Sequence, residues 1–401
     1  MRNTNKKGFT IVELVIVIAV IAILAAVLIP TFSGIINRAN QSADQQAVTN
    51  MNKLLAISTK KPADVDEVVE ILVAEGYKGD LSTYFAGYDL AWLASENAIV
   101  IVEDDAIVFP EQYAGKTGFE LINGVVANNA DALTGNLTDG KVVYVGSNID
   151  TEEISVNEAG EYAINLNGNT VALDNRVQAY ANGSLVLSNG VIESESDRCA
   201  VYSANGGSVE LNNVQVYGAS GANTVQCYGG NLVLNNVVAA QHGNNEASWY
   251  NSAVQVVNYI ELQESGKYKV LAQANATING GVYTGDKAIQ ISAPGGNVTI
   301  DDGTFTGTTY AINADFAPQN YLDGDKFESV ITINGGTLTG NIKISKATEL
   351  VINGGTFNGS TLTYFDTTAN KTVTVELTVD VLAQFVTTGS TIVVNGVSYT
   401  K

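Results

Sequence analysis

Three rhythms of apolar and polar residues divide this chain. Residues 9–29, FTIVELVIVIAVIAILAAVLI, are almost wholly apolar and carry one charge, Glu13. At 1.5 Å rise per residue a helix of that run spans about 30 Å, the thickness of bilayer hydrocarbon. After Pro30 the pattern turns amphipathic: Ile35, Ile36, Ala39, Ala43, Ala47, Met51, Leu54 and Leu55 recur at spacings of three and four. One long helix over 9–61 is the simplest reading, ended by Lys60-Lys61-Pro62 and bent or locally melted at Pro30, which lacks an N–H. A short helix over 64–76 follows, with Gly76 as its C-cap. Strands are expected at 88–93, 98–103 and 106–109, turned at Glu96-Asn97 and Asp104-Asp105. Residues 62–125 thus read as a small α+β head and 126–141 as a linker.

From 142 to 370 the rhythm is a repeat. Apolar pairs flanking one residue recur at Ile164/Leu166, Leu185/Leu187, Val209/Leu211, Leu232/Leu234, Ala276/Ile278, Val298/Ile300, Ile331/Ile333 and Leu350/Ile352. Each pair is followed by Asn, Ser or Asp (Asn167, Ser188, Asn212, Asn235, Asn279, Asp301, Asn334, Asn353), then usually by Gly or Asn. That is strand alternation running into a turn of left-handed backbone. A second short strand follows the turn, and a third lies midway to the next pair, as at Val201, Val254, Ile289 and Ile312. The second members of the pairs are 21, 24, 23, 44, 22, 33 and 19 residues apart. A period near 22 with three strands per repeat predicts a right-handed parallel β-helix. The 44 is read as two coils, one carrying an insertion over 241–268, and the 33 as one coil with an insertion over 314–328. Stacked coils would turn the Asn positions into a hydrogen-bonded ladder. Residues 371–401 read as an end cap: a strand at 372–377, a helix at 379–385 and a hairpin turned at Asn395-Gly396. The fold class is mainly β behind an N-terminal helix.

Charge separates the two ends. The chain has 401 residues, 41 acids and 20 bases, a net charge of −21, yet residues 1–61 hold seven bases and two acids. The basic flank MRNTNKKG before the apolar run places the N-terminus in the cytoplasm and the bulk of the chain outside. The acidic remainder lacks the basic footprint of a nucleic-acid binder. One His and two Cys exclude His-rich metal sites, zinc ribbons and a disulfide-built scaffold. Glu13 stands out, because a carboxylate inside a membrane span costs about 2.5–3.5 kcal/mol and calls for a partner at the same depth.

The run Lys6-Lys7-Gly8-Phe9-Thr10-Ile11-Val12-Glu13-Leu14 resembles the leader of type IV prepilins and pseudopilins. The resemblance covers roughly residues 6–58. It implies that residues 1–8 are a leader, cut after Gly8 by a prepilin peptidase, and that the new terminal Phe9 is N-methylated. It further implies that Glu13 is the assembly glutamate, pairing with the Phe9 amine of a neighbouring subunit, and that Pro30 kinks the helix. The partners it implies are the peptidase, other pilin subunits in a homo- or hetero-filament and the cell membrane; the chain is a single-pass membrane protein before assembly and a surface pilus component after. Residues 142–370 resemble pectate-lyase-like β-helix domains, which identifies fold far better than activity.

Catalysis is not expected, and no cofactor or metal is implied. Asp104-Asp105 reads as a solvated turn and Asp301-Asp302 as a ladder position. Asp323-Gly324-Asp325 alone is weak evidence for calcium, and the lone His242 reads as polar surface. Arg176 and Arg198 are the only arginines of the β-helix, with no acidic cluster aligned to them. Cys199 and Cys227 fall four residues out of register, too far for a bridge. The two insertions carry Trp249, Tyr250, Tyr259, Tyr268, Phe316, Tyr321 and Phe327, side chains suited to a glycan or a host or surface protein. They suit equally a loop folded back on the coil. The expected function is a pilus-type subunit displaying a β-helix rod for adhesion. The alternatives are a pseudopilin of a type II-like secretion system and a membrane-tethered polysaccharide lyase or hydrolase.

Overall fold

The computed structural model describes residues 11–77, 81, 89–241, 251–316 and 329–401, with backbone only at 12–13 and 22–37. It comprises two compact units, Met1–Asn123 and Gly124–Lys401.

In the first unit α1 spans Ile11–Ile57. It stays helical through Pro30, so the local melting expected there is not seen; a proline removes one N–H bond and need not unwind the turns on either side. Among the residues whose side chains are described, no helix is long and apolar enough to cross a membrane. Most of the apolar run 9–29 lies outside those residues. Among the described side chains of α1, Val48, Met51 and Leu55 are buried, while Ile35 and Ile36 of the expected stripe lie outside them. The Asn52 side chain brackets the Ile99 backbone, donating to its carbonyl at 2.9 Å and accepting from its N–H at 2.7 Å. Helix α2 (Val65–Ala74) is capped by Asp64, which accepts from the Glu67 N–H, while Glu67 accepts from the Ala63 N–H. Four strands, β1 (Asp89–Leu93), β2 (Ala98–Glu103), β3 (Ala106–Phe109) and β4 (Phe119–Leu121), form an antiparallel sheet in the order β3-β2-β1-β4. Asp104 and Asp105 turn β2 into β3 with φ of 46° and 60°, as a two-residue hairpin loop demands.

The second unit begins before its expected start. Gly124–Ala127 pairs in parallel with Val142–Val145, and a short helix, Ala130–Gly135, lies between them. The stretch expected as a linker, 126–141, is therefore part of the solenoid's first turn. From there each strand pairs in parallel with its equivalent one coil on, an arrangement consistent with a β-helix. The inward column runs Leu187–Leu211–Leu234–Ile278–Ile300–Ile333–Ile352. The midway column runs Val177–Val201–Val225–Val254–Ile289–Ile312–Ile342–Leu362.

Three repeat assignments change. Leu185 and Leu187 sit over Tyr162 and Ile164, so the first coil's pair is Tyr162/Ile164, with Ile164 the second member rather than the first. Tyr162 is only partly buried, and an amphipathic ring at that position hides the register from an aliphatic pattern. The 44-residue interval is a single coil: Asn231–Gln241 pairs directly with Asn275–Ile291, and the excess is spent on excursions that include a hairpin, Tyr259–Leu262 against Tyr268–Ala272. The C-terminal segment is also more than a lid, because Val393 and Val394 pair in parallel with Thr356 and Phe357 and extend the solenoid. Lys371–Glu376 and Val397–Thr400 then close it as antiparallel strands.

Amide side chains stack outside the core as expected. Asn279 donates to Asn235 at 2.7 Å and Asn235 to Asn212 at 2.6 Å. A second run goes from Asn353 to Asn334 at 2.7 Å and from Asn334 to Asp301 at 2.6 Å. Asp301 thus occupies a ladder position.

Candidate functional site: an aromatic and arginine surface on the solenoid

Of the residues singled out in the sequence, Gly8, Phe9, His242, Trp249, Tyr250, Tyr321, Asp323, Asp325 and Phe327 lie outside the described residues, as do the side chains of Glu13 and Pro30. Phe316 is packed into the core rather than displayed. Tyr259 is described, and it opens the hairpin at the edge of a run of rings. It packs edge-to-face on Tyr228 with centroids 5.3 Å apart; Tyr228 stacks on Tyr202 at 6.3 Å, and Tyr202 meets Tyr180 at 5.6 Å. All four rings are half-buried. The close approach of Tyr259 depends on Gly229, where φ is +66° and an added Cβ would lie 2.3 Å from Tyr259 Cβ.

Polar groups border this run. The Arg176 guanidinium lies over the Tyr202 ring, 4.8 Å from its centroid. Tyr180 donates to Gln178 Oε1 at 2.8 Å, and Gln178 Nε2 reaches Glu153 and Ser155, each at 3.2 Å. Gln226 donates to Gln255 at 2.6 Å. Gln178, Tyr202, Gln226, Gln255 and Gln290 share one register column of the midway strands. Burial raises the Tyr180, Tyr202 and Tyr228 hydroxyls above the usual phenol range. All three stay neutral at any physiological pH.

Cys199 and Cys227 are buried free thiols; their strands register Val201 against Val225, which leaves them in different positions along the coil. Burial pushes the Cys199 thiol up to about 11, against the opposing pull of Arg176. Reaction requires the thiolate, so native chain at pH 8 should take up no iodoacetamide at Cys199 over an hour, whereas urea-unfolded chain should be labelled fully. Mass spectrometry of the labelled peptide reads the result, and rapid native labelling would refute the burial.

Two polar clusters were not anticipated from the sequence. The buried Asp286 accepts from Thr309, Thr308 and Lys287. Desolvation pushes its carboxyl up, but these hydrogen bonds outweigh it and hold the group below its usual range. Asp150, Asp174, Glu193 and Glu195 line a shallow hollow on three consecutive coils. The register of Ile149, Val171 and Ile192 is the signal that would have aligned them. Among the described residues no group of three or more His, Cys, Asp or Glu is placed to hold a metal ion.

Comparison with known proteins bears on the other end of the chain. Residues 3–29 match the prokaryotic N-terminal methylation motif. The chain carries a prepilin-type N-terminus. This pilin-like chain is 63% identical over 38 residues to the type IV wide pilus major component PilA4 of Thermus thermophilus, an overlap of 10% of this chain and 29% of that protein. It is 29% identical over 113 residues to the type IV narrow pilus major component PilA5 of the same organism, 28% of this chain and 90% of that protein. The chain therefore spans less than a third of the first relative and most of the second. The motif and both relatives support a place in the type IV pilin superfamily. No solved structure matches the chain, so the solenoid rests on its own strand register.

Proposed function

We propose that this chain is a subunit of a type IV pilin-like surface filament that carries a β-helix, right-handed by the sequence reading, as a non-catalytic binding rod. Prepilin peptidase cuts after Gly8, Phe9 is N-methylated, and the mature helix is held in the membrane until Glu13 pairs with the Phe9 amine of a neighbouring subunit. Pro30 is the kink of that helix. The observation that carries this reading is the methylation motif over residues 3–29, with Gly8, Phe9 and Glu13 in the family's spacing. A solenoid of more than two hundred residues on every subunit would crowd a filament, which favours a minor or tip position. The tyrosine run and the insertions of the rod then face the medium, where they bind a glycan or a surface protein.

The test is to shear filaments from producing cells and read the N-terminus of this chain by mass spectrometry. N-methyl-Phe9 in the sheared fraction is expected. Processed chain confined to the membrane would replace this reading with a pseudopilin, and an intact Met1 would reduce the leader to an anchor.

A further inference from the structure

We propose that a hollow on the first coil of the solenoid binds the terminal ring of a neutral glycan, with Tyr162 as its platform and Asn157 and Glu158 holding the sugar hydroxyls. The proposal deepens the surface-binding role above and rests on it.

Tyr162 departs from its own column. Its equivalents on the following coils, Leu185, Val209, Leu232, Ala276, Val298 and Ile331, are aliphatic and buried. Tyr162 packs against the core but stays partly exposed. Gly160 gives the ring room, since an added Cβ would lie 3.1 Å from Tyr162 Cε2. Tyrosines that serve packing alone settle their hydroxyl on a partner. Tyr162 has no hydrogen bond and no stacked ring among the described residues.

The ring lines a hollow of about 270 Å³. Thr134 and Leu137 line it from the end of the short helix Ala130–Gly135, and Ser155, Val156, Asn157 and Glu158 from the end of the strand Ile154–Val156. A relay from the next coil sets the polar side. Tyr180 donates to Gln178, Gln178 Nε2 donates to Ser155 Oγ at 3.2 Å, and Ser155 Oγ donates to Asn157 Oδ1 at 2.8 Å. The last bond fixes the Asn157 amide and leaves its Nδ2 donors without a partner among the described residues. The Glu158 carboxylate has none there either. Both residues are exposed, so a ligand can reach them.

The chemistry of the ligand follows from this lining. An aromatic ring, amide donors and one carboxylate acceptor suit a molecule with a C–H face and a rim of hydroxyls that both donate and accept. That molecule is a neutral pyranose. An anion would meet Glu158 with no cation in the lining to offset it. An ammonium would satisfy Glu158 and leave the Asn157 donors unused. Size sets the length of the bound segment: small-molecule pockets run from roughly 300 to 1,000 Å³, so this hollow takes one ring and leaves the rest of the glycan in solvent.

The experiment titrates the full processed chain in detergent micelles with methyl glucoside, methyl mannoside, methyl galactoside, glucuronate and choline, read by calorimetry. At least one of the three neutral glycosides should bind at least about tenfold more tightly than glucuronate or choline. Tyr162→Leu installs the residue of the next coil. It should cost at least about tenfold in that affinity without lowering the urea midpoint; a ring that only covers the core would lower the midpoint and leave binding unchanged. Asn157→Ala, at an exposed position, should also cost about tenfold, and it decides the matter if Tyr162→Leu loses stability. No binding of any neutral glycoside, tighter binding of glucuronate or choline, or full affinity in either variant overturns the proposal. Absence of binding by chain that carries N-methyl-Phe9 in sheared filaments removes the ligand and leaves the filament subunit standing. Binding by a chain that is never cut does the reverse.

Discussion

Glu13→Ala should leave the chain processed and inserted in the membrane but at least about tenfold depleted from sheared filaments. The two effects have opposite signs, which is what makes the variant informative. A carboxylate within the hydrocarbon costs about 2.5–3.5 kcal/mol, so its removal favours the inserted monomer. In the proposed pairing the same carboxylate would lose that penalty on meeting a neighbour's Phe9 amine, so its removal would withdraw a contact that only the assembled state supplies. Glu13→Gln keeps the size and polarity but not the charge, and should assemble almost as poorly. Immunoblots of membrane and sheared fractions provide the measurement. Wild-type levels of either variant in the sheared fraction would mean that the glutamate is tolerated rather than used.

Phe305→Ala should destabilise the solenoid by about 3–5 kcal/mol, the usual cost of emptying an aromatic site in a close-packed core. Phe305 is fully buried and stacks on Tyr283 from the preceding coil, with ring centroids 4.9 Å apart and planes within 8°. Leu338 continues the same column on the next coil, so the hole would open between two layers that cannot move together without breaking ladder pairs. The neighbouring Thr304 on the same strand is exposed, and Thr304→Ala should change stability by less than about 0.5 kcal/mol. Denaturant unfolding of the two variants checks the contrast. Equal midpoints would mean that the alternation along 303–307 does not divide core from surface. The buried thiol of Cys199 tests the same solenoid from another position.

The rhythm of the chain was legible wherever neighbours in sequence decide the structure. The short helix, expected over 64–76 and found over Val65–Ala74, the Asp104-Asp105 turn, the inward pairs and the Asn ladder all follow from spacing and from the backbone preferences of Asn, Asp and Gly. The prepilin leader was legible for the same reason, since its residues fall within a dozen positions of one another. The first coil was misregistered because Tyr162 stands where the pattern expects an aliphatic residue. The 44-residue interval was divided in two because sequence distance cannot tell a second coil from a hairpin that leaves the stack and returns.

The tyrosine run and the arginine that lies over it were further out of reach. Tyr202 shares its register position with Gln226, and Tyr228 shares its own with Ala204, so the rings that touch are not equivalent residues of the repeat. Arg176 is likewise brought over the Tyr202 ring only by the fold. The sequence by itself determined the N-terminal signal, the strand period and the positions of the turns, because these depend on local backbone geometry and on burial of one face of a strand. The tertiary structure alone decided which side chains meet across coils, because stacking at about 4.8 Å brings residues some twenty positions apart closer than their sequence neighbours two positions away.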